Sequence, residues 1–160
     1  MTEAAVASAE THQEIVSFAI GDQGFCFDIR YVLEIRGWTP TTVLPHAPGY
    51  VKGLMNLRGT VLPVVDLSMR LGLGATDPSA RHVIIIVRIS DQTVGFLVES
   101  VSDILTVAAE EIKPTPDIDI SESKNFIRGV FSIDDELIRL IDVPATLPFL
   151  SPEALASNGR

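Results

Sequence analysis

The chain has 160 residues, 46% of them hydrophobic, and carries a net charge of −9. Its length and apolar content allow a packed core without disulfide or metal staples and exclude a disordered chain. Its twelve basic residues form no cluster, which argues against nucleic acid and against anionic membrane surfaces as partners, since both demand a Lys/Arg stripe.

Residues 1–13 are small, polar and aperiodic and read as a disordered tail. They lack the basic start and apolar run of a secretory signal. From Glu14 the texture is β: short Val/Ile/Phe runs alternate with turn signals. Gly21-Asp22-Gln23-Gly24 splits the first such run into two halves of a β-hairpin. Cys26 is the single cysteine and lies in that hairpin, so no intrachain disulfide forms and a reducing, cytoplasmic setting is expected. Helical candidates are short: Ile29–Ile35, Ala47–Met55 and Leu67–Leu71. The run Gly53–Leu67, apolar at both ends, is broken by Asn56-Leu57-Arg58-Gly59. The longest apolar run, Val83–Val87, is far too short to span a bilayer. Ser151–Arg160 reads as a second tail. The predicted fold class is mainly β with a few short helices.

The chain also resembles itself. Ile15–Arg36, moved forward by 69 positions, falls on Ile84–Leu105 with seven of 22 residues identical, among them Phe27/Phe96, Val32/Val101 and Ile35/Ile104. Tyr50–Leu67, moved by 76, falls on Phe126–Val143 without gaps, with Gly53/Gly129 and Asp66/Asp142 identical. A duplicated β unit of about 65–70 residues is the reading, compatible with two small five-stranded barrels packed together. The partners of Arg58-Gly59-Thr60 are then Asp134-Asp135-Glu136, which satisfy the rules for a hairpin turn. Arg58 is therefore expected at a turn that the fold needs, carrying a side chain that the fold does not need.

No constellation for catalysis emerges. His12, His46 and His82 are not spaced as metal ligands. Cys26, between Phe25 and Phe27, has no activating partner in sequence. There is no nucleophile elbow, phosphate loop or dinucleotide fingerprint, and Gly72-Leu73-Gly74 reads as a loop. Asp66 and Asp142 each follow an apolar strand at equivalent repeat positions and are expected to cap the turns that follow. Glu34, Arg36 and Trp38 in "EIRGW", with Arg58, place charges beside apolar residues in the manner of a protein-binding hot spot. Small paired barrels of this kind usually recognise proteins.

"FDIRYVLEIRGW", "GYVKGLMNLRGTVLPVVDLSMRLG" and "VGFLVESVSDIL" together resemble the CheW family of bacterial chemotaxis coupling proteins, over about Glu14 to Leu150. The resemblance implies two packed SH3-like five-stranded β-barrels in one CheW-like domain, residues 14–150, with no enzymatic activity and no cofactor or metal. It implies two partners: the cytoplasmic hairpin tip of a methyl-accepting chemoreceptor, and the regulatory domain of the histidine autokinase CheA. The protein would reach the membrane-associated receptor array only through them. Carried over by motif, the receptor-binding groove comprises Val32, Glu34 and Ile35 from "VLEIRG", Asn56, Leu57 and Arg58 from "NLRG", and Gly95, Val101 and Ile104 from "VGFLVESVSDIL". The segment "TPDIDISESKN" departs from the family in polarity. The alternative from the barrels alone is a module binding a peptide or small ligand outside any receptor–kinase array.

Overall fold

The computed structural model describes residues 12–114 and 126–146; the expectations for both tails and for "TPDIDISESKN" fall largely outside that range. Ten strands appear in chain order. The first five are β1 (His12–Ile20), β2 (Gln23–Asp28), β3 (Val32–Gly37), β4 (Val51–Leu57) and β5 (Thr60–Asp66). They are followed by β6 (Val83–Ile89), β7 (Gln92–Val98), β8 (Ser100–Ala108), β9 (Ile127–Ile133) and β10 (Glu136–Ile141). The one short α-helix among the described residues, α1, is Leu67–Arg70, as the sequence indicates. Of the other helical candidates, Ile29–Ile35 contributes a single 3₁₀ turn, Ile29–Tyr31, before β3 begins. Ala47–Met55 instead enters β4, where Val51 pairs with Val65 of β5. Cross-strand burial outweighs local preference in both segments.

Five strands per repeat unit are present, but the units are not the barrels. One sheet runs β8-β1-β2-β10-β9 and the other β3-β6-β7-β5-β4. Each barrel therefore takes two strands from one repeat and three from the other. The exchange is closed by two parallel contacts, Gly24–Cys26 against Ile138–Leu140 and Gly95–Leu97 against Val64–Asp66. The first barrel is filled by Ile15, Cys26, Val107, Phe131, Ile138 and Leu140. Burial pushes the Cys26 thiol far up, helped by the charge of Asp28, so it is an inert core residue. The second is filled by Met55, Leu57, Leu62, Val64, Ile84, Ile86 and Leu97, with Trp38 packed at its side.

A third cluster draws on both sheets and on both repeats, around Phe18, Phe25, Phe27, Val65, Ile85, Val87 and Phe96. Phe27 and Phe96, identical by repeat, meet each other with ring centroids 5.3 Å apart, as equivalent residues do across a two-fold axis. Arg70 lies over Tyr50 and Phe126, a second equivalent pair, at 4.7 and 4.5 Å. Its Nε donates to the carbonyl of Thr146, 3.2 Å away.

Paired features recur at the repeat offsets. Asp66 Oδ1 accepts from the Met69 amide at the start of α1, and Asp142 Oδ1 accepts from the Ala145 amide, both at 3.4 Å. The capping roles read from sequence are thus the ones observed. Thr42 bridges Leu54, and Lys113 bridges Val130, the repeat partner of Leu54. These bridges explain the shared glycines. A Cβ on Gly53 would collide with the Thr42 carbonyl and lie 2.8 Å from Thr41 Oγ1; one on Gly129 would lie 2.6 Å from Ile112 Cγ2 and 2.9 Å from the Lys113 carbonyl. Gly53 also has φ +148°. Gly129→Ala is expected to cost about 1–3 kcal/mol through overpacking. Gly53→Ala adds backbone strain and should cost about 1 kcal/mol more. Urea unfolding of the two variants checks the order.

Candidate protein-interaction site

Most of the residues singled out by motif gather at one rim of the second barrel. Its sheet has two free edges, β3 and β4. Asp28 sets the start of β3. Its buried carboxylate accepts from the Arg30 amide at 2.9 Å, from Arg30 Nη2 at 2.6 Å and from Gln13 Nε2 at 3.0 Å. Burial alone would raise its pKa, but the hydrogen bonds and charge of Arg30 outweigh it and hold the carboxyl below the usual range. The 3₁₀ turn that Asp28 caps delivers the chain to the edge of the opposite sheet.

Within β3 the pairing with β6 slips between Val32 and Glu34, leaving Leu33 as a bulge. A bulge re-aims the side chains beside it. Leu33 is 55% exposed and Ile35 41% exposed, while Glu34 between them is half-buried. Sequence reasoning gives no place to Leu33. The available signal is its repeat partner, Ser102, a polar residue opposite a large apolar one.

From the other edge, β4 and β5 are joined by Arg58-Gly59, with Leu57 opposite Thr60. Arg58 has φ 50° and Gly59 φ 88°, the two left-handed residues of a type I′ hairpin turn. The twin turn, Asp134-Asp135, has φ 50° and 66° between Ile133 and Glu136. Asn56 supports the first turn by accepting from the Gly59 amide at 2.8 Å.

The Arg58 guanidinium donates to Glu34 Oε1, joining the two edge strands, while Arg36 reaches Glu34 Oε2 at 3.3 Å. Glu34 is held below the usual carboxylate range, first by the hydrogen bond from Arg58 and then by the charges of both arginines. The Arg58 side chain remains 69% exposed, so the clasp closes the rim while leaving guanidinium donors open to solvent.

The remaining motif residues divide. Leu57 belongs to the interior of the second barrel. Gly95 is buried there too, where a Cβ would lie 2.7 Å from Ile84 Cγ2. Neither offers a side chain to the surface. Val32 and Val101 are half-buried against the shared core, whereas Ile104, on edge strand β8, is 57% exposed. Among the described residues no group of His, Cys, Asp or Glu is arranged to hold a metal ion. No helix there is long and apolar enough to cross a membrane.

Because the folded-state pKa of Glu34 lies below its unfolded value, the stability of the clasp is fully present above the ordinary glutamate pKa of about 4.3. It is lost as pH falls through the lowered value. Arg58→Gln should move the Glu34 titration midpoint up toward that ordinary value in a carboxyl-carbon NMR titration.

The chain matches known proteins in sequence and in fold. The family description "CheW-like domain" matches residues 14–149. The chain is 49% identical over 154 residues to the chemotaxis protein CheW of Rhizobium meliloti, covering 96% of this chain and 99% of that protein. It is 50% identical over 142 residues to a probable chemotaxis protein CheW of Rhizobium etli, covering 89% and 92%. In three dimensions it is similar to the scaffolding protein TtCheW of Thermoanaerobacter tengcongensis, with TM-score 0.75 and 31% identity over 82% of this chain and 84% of the other. With the duplicated SH3-like barrels, the "EIRG" strand and the "NLRG" hairpin in place, the chain belongs to the CheW-like family.

Proposed function

We propose that this chain is a non-enzymatic adaptor in chemotaxis-type signalling, joining the cytoplasmic hairpin tip of methyl-accepting chemoreceptors to the regulatory domain of the histidine kinase CheA. Its relatives are named as chemotaxis CheW proteins and as a scaffolding protein, and binding geometry is the whole of its mechanism. The observation that carries the reading is the Arg58–Glu34 clasp beside exposed Leu33 and Ile35. An arginine with spare donors next to apolar side chains is the composition of an interface anchor. A receptor helix would lay its apolar stripe along Leu33, Ile35 and the half-buried Val32, and Arg58 would fix its rotation. Ile104 and Val101, the repeat counterparts of Ile35 and Val32, would extend that surface from β8. The kinase domain would occupy a separate barrel end, and the protein would sit in the cytoplasm at the receptor array through these two partners.

Retention of a purified receptor cytoplasmic fragment and of the kinase regulatory domain on the immobilised protein tests the reading. Wild type should hold both. Arg58→Asp reproduces the turn chemistry of the twin hairpin, and aspartate tolerates left-handed φ better than most residues, so the variant should fold. It should lose receptor affinity by about tenfold or more and keep the kinase domain. Failure of wild type to retain either partner overturns the coupling role and favours a barrel module with another ligand. Full receptor affinity in a folded Arg58→Asp variant removes Arg58 from the interface.

A further inference from the structure

The first barrel carries the same rim with opposite chemistry. The repeat offsets put Asp103 at the place of Glu34 and Asp134 at the place of Arg58. The structure keeps the equivalence in detail. Glu34 pairs across strands with Ile86, and Asp103 pairs with Ser17. The bulge at Leu33 recurs at Ser102, where pairing slips between Ser17 and Phe18. In the second barrel a glutamate and an arginine together span the gap between the edge strands. In the first, two short carboxylates face that gap, and like charges cannot clasp.

The gap is a groove of about 470 Å³ lined by Asp103, Asp134, Asp22 and Glu136, with Leu105 and Ile138 among its apolar walls. Ser17 also lines it. In the second barrel the corresponding Ile86 is wholly buried in the barrel core. Ser17 is only 5% exposed, and its hydroxyl makes no hydrogen bond to any described residue. A buried hydroxyl without a partner is costly and is the kind of group that a ligand satisfies. The nearby Arg139 does not neutralise the groove: it donates to the Gly24 carbonyl at 3.4 Å and lies over the Phe25 ring at 5.4 Å.

We propose that this groove is a docking site for an arginine carried on a segment of a partner protein, its guanidinium lying between Asp103 and Asp134 where the second barrel holds its own. Charge complementarity selects a cation, and the twin rim shows that a guanidinium fits this backbone frame. A planar group with several donors meets two carboxylates at once and leaves one donor for Ser17. The apolar walls then take the stem of the arginine and its neighbours. The site is separate from the Arg58 rim, and the inference rests on the repeat, not on the coupling role.

The test is an amide NMR titration of the full chain with acetyl-Gly-Arg-Gly amide, its citrulline counterpart, and agmatine as a free guanidinium compound. The arginine peptide should give saturable shifts at Ser17, Asp22, Asp103 and Asp134 that weaken when salt is raised, and the citrulline peptide none. Asp134→Asn suits the left-handed turn position and should fold, yet raise the dissociation constant at least about fivefold. Asp134→Arg should place the chain's own guanidinium in the groove and block the peptide, with little change in thermal midpoint because an exposed ion pair only offsets the strain of the turn. Equal response to arginine and citrulline, no shift at these residues, unchanged affinity in Asp134→Asn, or undiminished peptide binding in a folded Asp134→Arg variant overturns the proposal. Agmatine binding as tightly as the peptide overturns the assignment to a protein segment.

Discussion

The contact of Phe27 with Phe96 is the point on which the architecture turns. Each phenylalanine sits on a strand whose barrel is completed by the other repeat. Neither repeat closes a barrel alone: β1 and β2 lack edge partners until β8 and β10 arrive, and β6 and β7 lack them until β3 and β5 arrive. The interior of each barrel and the core between them therefore form together. A Phe or Ile buried there is worth about 1.5–3 kcal/mol, and most such residues would lie exposed in an isolated half. The two barrels are consequently one cooperative unit, a body that cannot shear between its barrels without disrupting the core they share.

That mutual dependence explains where symmetry is kept and where it is dropped. Positions that hold the exchange together stay equivalent: Gly53 and Gly129 under their bridging loops, Asp66 and Asp142 at their caps, Phe27 and Phe96 in the core. The rims lie outside this constraint. Four positions diverge there together: Glu34 against Asp103, Arg58 against Asp134, Leu33 against Ser102, and Ile86 against Ser17. The first set makes a closed, partly apolar rim and the second an open acidic one. A duplicated scaffold thereby presents two unlike surfaces on the same frame.

Much of this is legible in the sequence because the repeat supplies an internal control. Alternation marks the strands, and the aligned turns by themselves identify Arg58-Gly59 and Asp134-Asp135 as hairpins. The exchange of strands is not legible, since a strand's alternation is the same whichever neighbour it pairs with. Nor is the β3 bulge, because "VLEIRG" also satisfies a short helical pattern, and only pairing with β6 shows that Leu33 is left over. The motif puts Gly95 on the surface, yet it lies in the core because the parallel contact with β5 brings Val64 and Leu62 close to it. Ser17 reads as one more polar residue in an alternating strand. Only the barrel shows that it faces an interior that its counterpart fills with isoleucine.

Arg58 shows most directly how the frame and the surface are separated. A left-handed backbone costs an arginine about 1–2 kcal/mol relative to glycine, and the twin turn uses two aspartates, which bear it more easily. An exposed ion pair returns about 0–1 kcal/mol. With a 69% exposed side chain, the clasp at best offsets the strain that Arg58 introduces. Stability therefore gives no reason to keep an arginine there, and the turn would form as well with the residues of its twin. What the arginine adds is a fixed set of donors, held by Glu34 in one orientation beside Leu33 and Ile35, and so ordered before any partner arrives. Preorganisation of this kind lowers the entropy lost on binding, which is what the proposed recognition role of Arg58 asks of a turn that the fold itself does not need.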